Sequence, residues 1–242
     1  TNEITFSATG ELDNGMAWKY QTELDSGAET TSGAGIDDSQ IVFTTDYGTV
    51  GLMVSEGSLR GGALGWDVSA FGAGSDNGAT VDNYTIDAYN NIQYHTPAGL
   101  LPYGIVAKAG TSVGGDTSIN SFKASGARVN PLITNQLPGT NAVGNYTARK
   151  FTQYQLSATP LDGMSIVLDY ADIDDAGVDK VVDHQEPEQG HASLKYAIGN
   201  ATIGIGRGYE ALGMTGTLAA TTIEQITNTS YGIGYAVNDQ LS

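Results

Sequence analysis

Carboxylates are the side chains of this sequence best suited to chemistry, and a dense group of them lies in segment 171–188, ADIDDAGVDKVVDHQEPE. Carboxylate oxygens are common Ca²⁺ ligands in proteins. The candidate ligands are Asp172, Asp174, Asp175 and Asp179. Their spacing does not match the EF-hand loop, so a solvated surface loop is the preferred interpretation. The segment SDNGATVDN at 75–83 is an equally weak Ca²⁺ candidate.

Histidine and cysteine offer little further chemistry. The three histidines are His95, His184 and His191. His95 and His191 fall on the polar face of predicted strands, but neither a serine partner nor zinc-ligand spacing accompanies them. The absence of cysteine excludes disulfides, thiol catalysis and cysteine-ligated metal. We therefore expect polar surroundings rather than a catalytic site, and no enzyme.

The charge balance restricts the partners. The chain has 27 acidic and 10 basic residues, a formal net charge of −17. Nucleic-acid binding requires basic side chains that neutralise phosphates, so no nucleic-acid partner is expected. The charge is explained either by solubility or by an interior that favours cations.

The elements that position these groups are strands with alternating apolar and polar residues. Residues 3–12 and 16–25 both alternate, and Asp13-Asn14-Gly15 between them fits a hairpin turn. The alternation recurs along the chain and predicts eleven strands, with a twelfth beginning at Gln240. No window approaches eighteen consecutive apolar residues, which excludes a transmembrane helix.

Short and long connections alternate between the predicted strands. Tight turns fall near 13–15, 46–48, 97–101, 160–163, 199–200 and 238–239. Long connections cover about 27–39, 57–90, 111–146, 175–190 and 210–228. In an up-and-down sheet this order puts all short turns at one end and all long loops at the other. That arrangement is typical of a bacterial outer-membrane barrel, whereas a soluble sandwich needs Greek-key crossings.

The two faces of the predicted strands favour the membrane interpretation. One face is continuously apolar, with tyrosine near strand ends, as an interfacial aromatic girdle requires. The other face is polar and rich in glycine. The basic exceptions on the apolar face, Lys150 and Arg207, lie beside long loops, where a charge facing lipid costs only about 0–1 kcal/mol. We therefore expect apolar side chains facing lipid and polar ones enclosing a channel.

Three motifs follow one another in order: TGELDNGMAWKYQTELD at 9–25, the hairpin SQIVFTTDYGTVGLMVSEG at 39–57, and NNIQYHTPAGLLPYGIVAKAG at 90–110. With the long segment between the second and third, they resemble the trimeric general porins of Gram-negative bacteria. The resemblance is greatest to the porins of marine α-proteobacteria. It is specific over about residues 3–110. Along the rest of the chain it consists only of the same alternation of strands, short turns and long connections.

The resemblance implies an all-β, antiparallel, up-and-down transmembrane β-barrel of 16 or 18 strands in full. Residues 1–242 would form an internal portion of this single domain, with about one strand before residue 1 and about four after residue 242. Residues 57–89 would be the third long loop, folded into the lumen as a constriction. A homotrimer in the Gram-negative outer membrane is implied, in contact with membrane lipid. Divalent cations could link its outer loops to lipopolysaccharide.

Porins of this kind commonly oppose acidic groups on the constriction loop to basic groups on the wall, and the resulting field selects ions. The candidate acids are Asp67, Asp76, Asp82 and Asp87. The candidate bases are Lys19, Lys108, Lys195, Arg149 and Arg60. Because acids outnumber bases, we expect passive diffusion of small hydrophilic solutes with weak to moderate cation preference, and no cofactor apart from possible Ca²⁺ in the outer loops.

Two other functions remain open from the sequence. A secreted β-sandwich that binds carbohydrate or cells would bury its aromatic face and would stay soluble without detergent. An outer-membrane barrel hydrolase would need converging catalytic side chains, and the sequence shows no such group.

Overall fold

The computed structural model describes residues 3–25, 35–54, 59, 90–112, 117–119, 146–148, 150–174, 183–185, 188–211, 214–215 and 225–237. Its main element is one antiparallel sheet of eleven strands. These are β1 (Glu3–Glu11), β2 (Ala17–Asp25), β3 (Gly35–Thr45), β4 (Gly48–Val54), β5 (Asn91–His95), β6 (Val106–Ser112), β9 (Lys150–Ala158), β10 (Met164–Asp174), β12 (Glu188–Ile198), β13 (Ala201–Ala211) and β15 (Gln225–Tyr235).

Two short ribbons accompany the sheet: β7 (Thr117–Ile119) with β8 (Tyr146–Ala148), and β11 (Asp183–Gln185) with β14 (Met214–Thr215). They lie within the long connections, and the second ribbon links the connections on either side of the β12–β13 hairpin. One 3₁₀ turn spans Pro102–Gly104. Among the described residues, no helix has the length and apolar character needed to cross a membrane.

The strands follow one another in the sheet in chain order, each antiparallel to its neighbour. The all-β, up-and-down prediction and its eleven strands are therefore confirmed, and the predicted start of a twelfth at Gln240 lies outside the described residues. The strand bounds confirm the alternation of connections except in one place: β3 begins at Gly35, so the β2–β3 connection predicted at about 27–39 covers only 26–34, one residue fewer than the β5–β6 connection. One turn differs: the β5–β6 connection covers 96–105 rather than 97–101, because the Pro102–Gly104 turn lengthens it.

The apolar face of the sheet is exposed, and the polar face is covered from β4 to β13, whereas polar-face residues of β1 and β2 such as Thr9 and Lys19 are exposed. Tyr154 is 49% exposed, whereas its neighbour Gln153 on the opposite face is fully buried. The large exposed apolar side chains include Leu52, Ile92, Tyr94, Leu156, Leu168, Ile203 and Ile205. The buried polar ones are Asn91, Gln93, Gln153, Asp169, Gln189, His191 and Ser193. This is the reverse of a soluble sheet protein, and it is the polarity of a transmembrane β-barrel.

Of two predictions about charged residues, the one for Arg207 is confirmed and the one for the acidic segment 171–188 is not. Arg207 is exposed on the apolar face, as predicted, four residues before β13 ends at a long connection. The prediction that the acidic segment 171–188 is a continuous loop is wrong. Its first four residues, through Asp174, extend β10, because β9 and β12 continue alongside and supply backbone partners for Asp172.

The β3–β4 turn requires glycine at position 48. Gly48 has φ +130, and a Cβ there would lie 2.6 Å from the His95 carbonyl oxygen and 2.6 Å from the Tyr94 ring. The Tyr94 ring is held in place because its hydroxyl donates to the Tyr47 carbonyl at 2.6 Å.

Gly48→Ala is therefore expected to lower the free energy of unfolding by about 3 kcal/mol, since backbone strain and the clash act together. Gly15→Ala is the control, because Gly15 also has positive φ, +80, but has nothing within 4 Å of a Cβ. It should cost only the left-handed backbone penalty, about 1–2 kcal/mol. Denaturant unfolding in lipid vesicles measures both, and equal losses would contradict the steric argument.

Candidate functional site: the polar wall

The polar face of the sheet carries two transverse rows of side chains. Residues paired directly across strands point to the same face. The first row, called here the glutamine row, consists of Gly51, Gln93, Gly110, Gln153, Ala171 and Gln189. The second row, called here the charged row, consists of Thr49, His95, Lys108, Gln155, Asp169, His191 and Gly208.

Glutamine alternates with a small residue along the glutamine row, and packing explains why. A Cβ on Gly110 would lie 3.1 Å from Cγ of Gln93 and 3.2 Å from Nε2 of Gln153. The glycine therefore leaves room for the side chains of both glutamines beside β6. The result is a buried wall that donates and accepts hydrogen bonds without carrying charge.

Strand β5 carries a chain of hydrogen bonds along the polar face. Gln93 Nε2 donates to Asn91 Oδ1 at 2.7 Å, and Gln93 Oε1 lies 2.9 Å from His95 Nε2. The three residues are two apart, so the period of the strand brings them together on one face. His95 is thus part of a structural network, in keeping with the expectation that polar surroundings explain it.

The β4–β5 connection contacts the glutamine row through Leu59. This residue is 4% exposed. Its backbone N–H donates to Gln153 Oε1 at 2.7 Å, and its carbonyl accepts from Gln155 Nε2 at 3.0 Å. Leu59 therefore lies on the polar wall at β9, although it follows β4 by only five residues.

The charged row contains a pair that the sequence reasoning missed. His191 Nδ1 lies 2.7 Å from Asp169 Oδ1, and each side chain is 1% exposed. The only signal in the sequence is that both residues fall on polar faces of consecutive long strands. Their pairing depends on register, which the sequence pattern leaves open.

The pair resembles two members of a catalytic triad, but the third is not in place. A triad needs a hydroxyl hydrogen-bonded to the other imidazole nitrogen. His191 Nε2 is buried and has no hydrogen-bond partner within the described part of the chain. Among those residues, the His191–Asp169 pair therefore has no nucleophile to activate.

The predicted wall bases lie on the expected face where the structure describes them. Lys108 belongs to the charged row, between His95 and Gln155. Lys195 pairs with Ser165 and Gly204, and Lys19 with Thr9 and Val42, all on the polar face. The other candidates lie outside the described residues: Arg60, Asp67, Asp76, Asp82, Asp87 and Arg149.

The described residues include two of the four candidate Ca²⁺ ligands, Asp172 and Asp174. Asp172 lies on the outward face of β10, opposite Thr152 and Glu188, and Glu188 accepts a 2.6 Å hydrogen bond from the Tyr170 hydroxyl. Asp174 pairs with Lys150, and the remaining candidates, Asp175 and Asp179, lie outside the described residues. Within the described ranges, no group of three or more acidic or histidine residues is placed to hold a metal.

Comparison with solved structures finds outer-membrane proteins. A mutant of the porin of Rhodopseudomonas blastica aligns with 98% of this chain and 80% of its own, with 11% identity and a TM-score of 0.41. A loop-deletion mutant of OmpT, an outer membrane protein of Vibrio cholerae, aligns with 98% of this chain and 80% of its own, with 12% identity and a TM-score of 0.45. The trimer form of OmpT aligns with 98% of this chain and 76% of its own, with 11% identity and a TM-score of 0.41.

No protein-family model matches the chain, and a sequence search of curated proteins gives no match.

Proposed function

We propose that this chain forms the wall of a porin in the outer membrane of a Gram-negative bacterium, a water-filled channel for passive diffusion of small hydrophilic solutes. The observation that supports this proposal most strongly is the inverted polarity of the sheet. Leu168 and Ile205 are exposed on one face, whereas Gln153 and His191 are buried on the other. Apolar strands facing outward suit hydrocarbon, and a polar inner face suits water and solutes.

Transport through such a wall needs no catalytic step. Solutes are sorted by size and by the electrostatic field at the narrowest point. We place that point at residues 57–89, with Asp67, Asp76, Asp82 and Asp87 as its acidic groups. Opposing bases would be Lys19, Lys108, Lys195, Arg149 and Arg60. The net charge of −17 favours a weak to moderate preference for cations.

The assembly and surroundings follow from the same proposal. We expect a homotrimer in which one outward flank of each barrel contacts its neighbours. The remaining flanks would contact membrane lipid. Acidic outer loops, including Asp175 and Asp179, would meet lipopolysaccharide through divalent cations such as Ca²⁺.

Recording from the full-length protein in planar bilayers tests this proposal. We expect conductance in groups of three steps and a reversal potential of cation-preferring sign in a KCl gradient. A protein that forms no channel, or that stays soluble and monodisperse without detergent, would contradict it. The secreted sandwich would then be the better explanation.

Lys108→Glu is expected to strengthen cation preference, because it replaces a positive charge on the polar wall with a negative one. In a tenfold gradient the reversal potential should move by roughly 5–10 mV toward the ideal cation limit of roughly 59 mV. Arg207→Glu is the matched control, since Arg207 is exposed on the outward face of β13, and this change should leave the potential unchanged. A shift toward anions with Lys108→Glu would refute the assigned face.

A barrel hydrolase is the second candidate, and the buried His191–Asp169 pair is the observation that favours it. Assaying detergent-solubilised protein for hydrolysis of peptide and lipid esters distinguishes a hydrolase from a channel. Turnover that is lost in His191→Ala would establish an enzyme, and we expect none.

A further inference from the structure

The β1–β2 turn places a side-chain amide beside an unshielded backbone nitrogen. Asn14 is followed by Gly15, and both are exposed in the turn that Leu12 and Met16 close. Glycine has no side chain to cover its own backbone nitrogen, and a Cβ on Gly15 would meet nothing within 4 Å. The Gly15 nitrogen is therefore not protected by bulk, and only the hydrogen bonds of the turn restrain it.

Those hydrogen bonds engage both groups. Asn14 Oδ1 accepts from the Met16 N–H at 3.1 Å, which folds the side chain back over the Gly15 peptide, as in other Asx turns. The Gly15 N–H donates to the Leu12 carbonyl at 2.8 Å. The turn thus brings the amide carbon of Asn14 toward the Gly15 nitrogen and, at the same time, holds the proton on that nitrogen.

We propose that Asn14 is a modification site, which converts to aspartate and isoaspartate when the Gly15 nitrogen attacks its side-chain amide, and that the closed turn slows this reaction. The products then accumulate as the β1–β2 turn opens. The modification is independent of the porin function, because it requires only this turn and water.

The reaction needs no reactant other than water. The Gly15 nitrogen loses its proton and bonds to Cγ of Asn14, while the bond from Cγ to Nδ2 breaks and ammonia leaves with that proton. The product is a cyclic succinimide. Water then adds to one of its two carbonyl carbons. Opening at Cγ gives aspartate, and opening at the backbone carbonyl gives isoaspartate, in which the main chain runs through Cβ and Cγ.

Isoaspartate would prevent the turn from closing in its present form. The main chain between Leu12 and Met16 would be longer by a methylene group. The Leu12 N–H donates to the Met16 carbonyl at 2.9 Å and the Gly15 N–H donates to the Leu12 carbonyl at 2.8 Å, and both bonds depend on the present length. Closure of the turn therefore does not reverse the reaction once isoaspartate has formed.

Mass spectrometry of peptides from the full-length protein measures the reaction, and a protein isoaspartyl methyltransferase identifies isoaspartate. Folded protein in detergent and protein unfolded in urea are incubated at the same mildly alkaline pH. We expect Asn14 to react at least roughly tenfold more slowly in the folded protein, since the hydrogen bonds of Asn14 and Gly15 must break first. Asn77, the other asparagine that precedes a glycine, should react as fast as Asn14 in urea.

Trp18 allows the turn to be loosened without a change in the turn itself. Its indole lies over Gly10, where a Cβ would meet Nε1 at 2.8 Å, and the two residues pair directly on β1 and β2. Trp18→Ala removes this packing, so the hairpin should open more often and Asn14 should react several-fold faster in the folded protein. Tyr209→Ala is the matched control, because Tyr209 covers Gly190 in the same way on β13 and β12. It should leave the Asn14 rate unchanged.

Circular dichroism and heat-modified gel mobility show whether each variant is folded, and Trp18→Leu replaces Trp18→Ala if that variant is not. Asn14→Gln is the chemical control, because its longer side chain would have to close a larger ring, and it should abolish the products at position 14. Equal Asn14 rates in folded and unfolded protein, or an unchanged rate in the folded Trp18 variant, would overturn the slowing by the closed turn. No aspartate or isoaspartate at position 14 in urea would overturn the site itself.

Discussion

Leu168→Arg is expected to lower the free energy of unfolding in lipid vesicles by about 2–4 kcal/mol, the cost of a basic side chain facing lipid at mid-bilayer. Leu168 is 44% exposed near the middle of β10, between Leu156 and Ala192 on the neighbouring strands. Neither of these two paired neighbours carries a charge that could neutralise the guanidinium group. Equilibrium unfolding in urea, monitored by tryptophan fluorescence, measures the loss.

Val167→Arg is the matched control, one residue earlier on the same strand and on the opposite face. Val167 lies between Ser157 and Ser193 on the polar wall, where water and hydroxyls can solvate the new charge. Its cost should stay within about 1 kcal/mol. If Val167→Arg were severely destabilising and Leu168→Arg neutral, the faces would be assigned the wrong way round and the membrane interpretation would fail.

His191→Leu is expected to lower the free energy of unfolding by about 3–5 kcal/mol, because it removes one partner of a buried pair and leaves the other in a poorly solvated site. The two side chains are almost inaccessible, 1% exposed each, and their contact is 2.7 Å. The leucine keeps apolar volume at position 191, so the loss reports mainly on the broken contact between His191 and Asp169. The same unfolding measurement applies.

A double-mutant cycle isolates this effect. Asp169→Leu with His191→Leu removes both partners, and replacing a whole buried pair by apolar groups is often close to neutral. The double variant should therefore be more stable than His191→Leu alone, with a coupling of about 1–3 kcal/mol. Additive losses would mean that the pair contributes no interaction of its own.

These two predictions address opposite faces of β10, and together they describe why the sheet is stable. Outside, the strand needs apolar groups such as Leu168, because lipid cannot solvate a charge. Inside, it needs polar groups that satisfy one another, as Asp169 does with His191. The four buried apolar residues among those described, Met53, Leu59, Ala158 and Ala171, are too few and too scattered for a conventional core.

The sequence by itself determined the strands, their faces and the alternation of short and long connections. Each of these depends on residues near one another in the chain. Leu168 and Asp169 point to opposite faces because the strand period is two, and Asp46-Tyr47-Gly48 forms a turn through its local backbone preferences. The β5–β6 connection was less predictable, because the turn at Pro102–Gly104 extends beyond the local turn signal.

Only the tertiary structure decided which polar residues meet. Asp169 faces His191 because β10 and β12 adopt one register, and a slip of two residues would keep every face and separate the pair. Leu59 meets Gln153 across 94 positions of sequence, on a strand separated from β4 by β5 and β6 in the sheet. Such contacts depend on how distant strands align and on the path of long connections, and no local pattern of residues encodes either one.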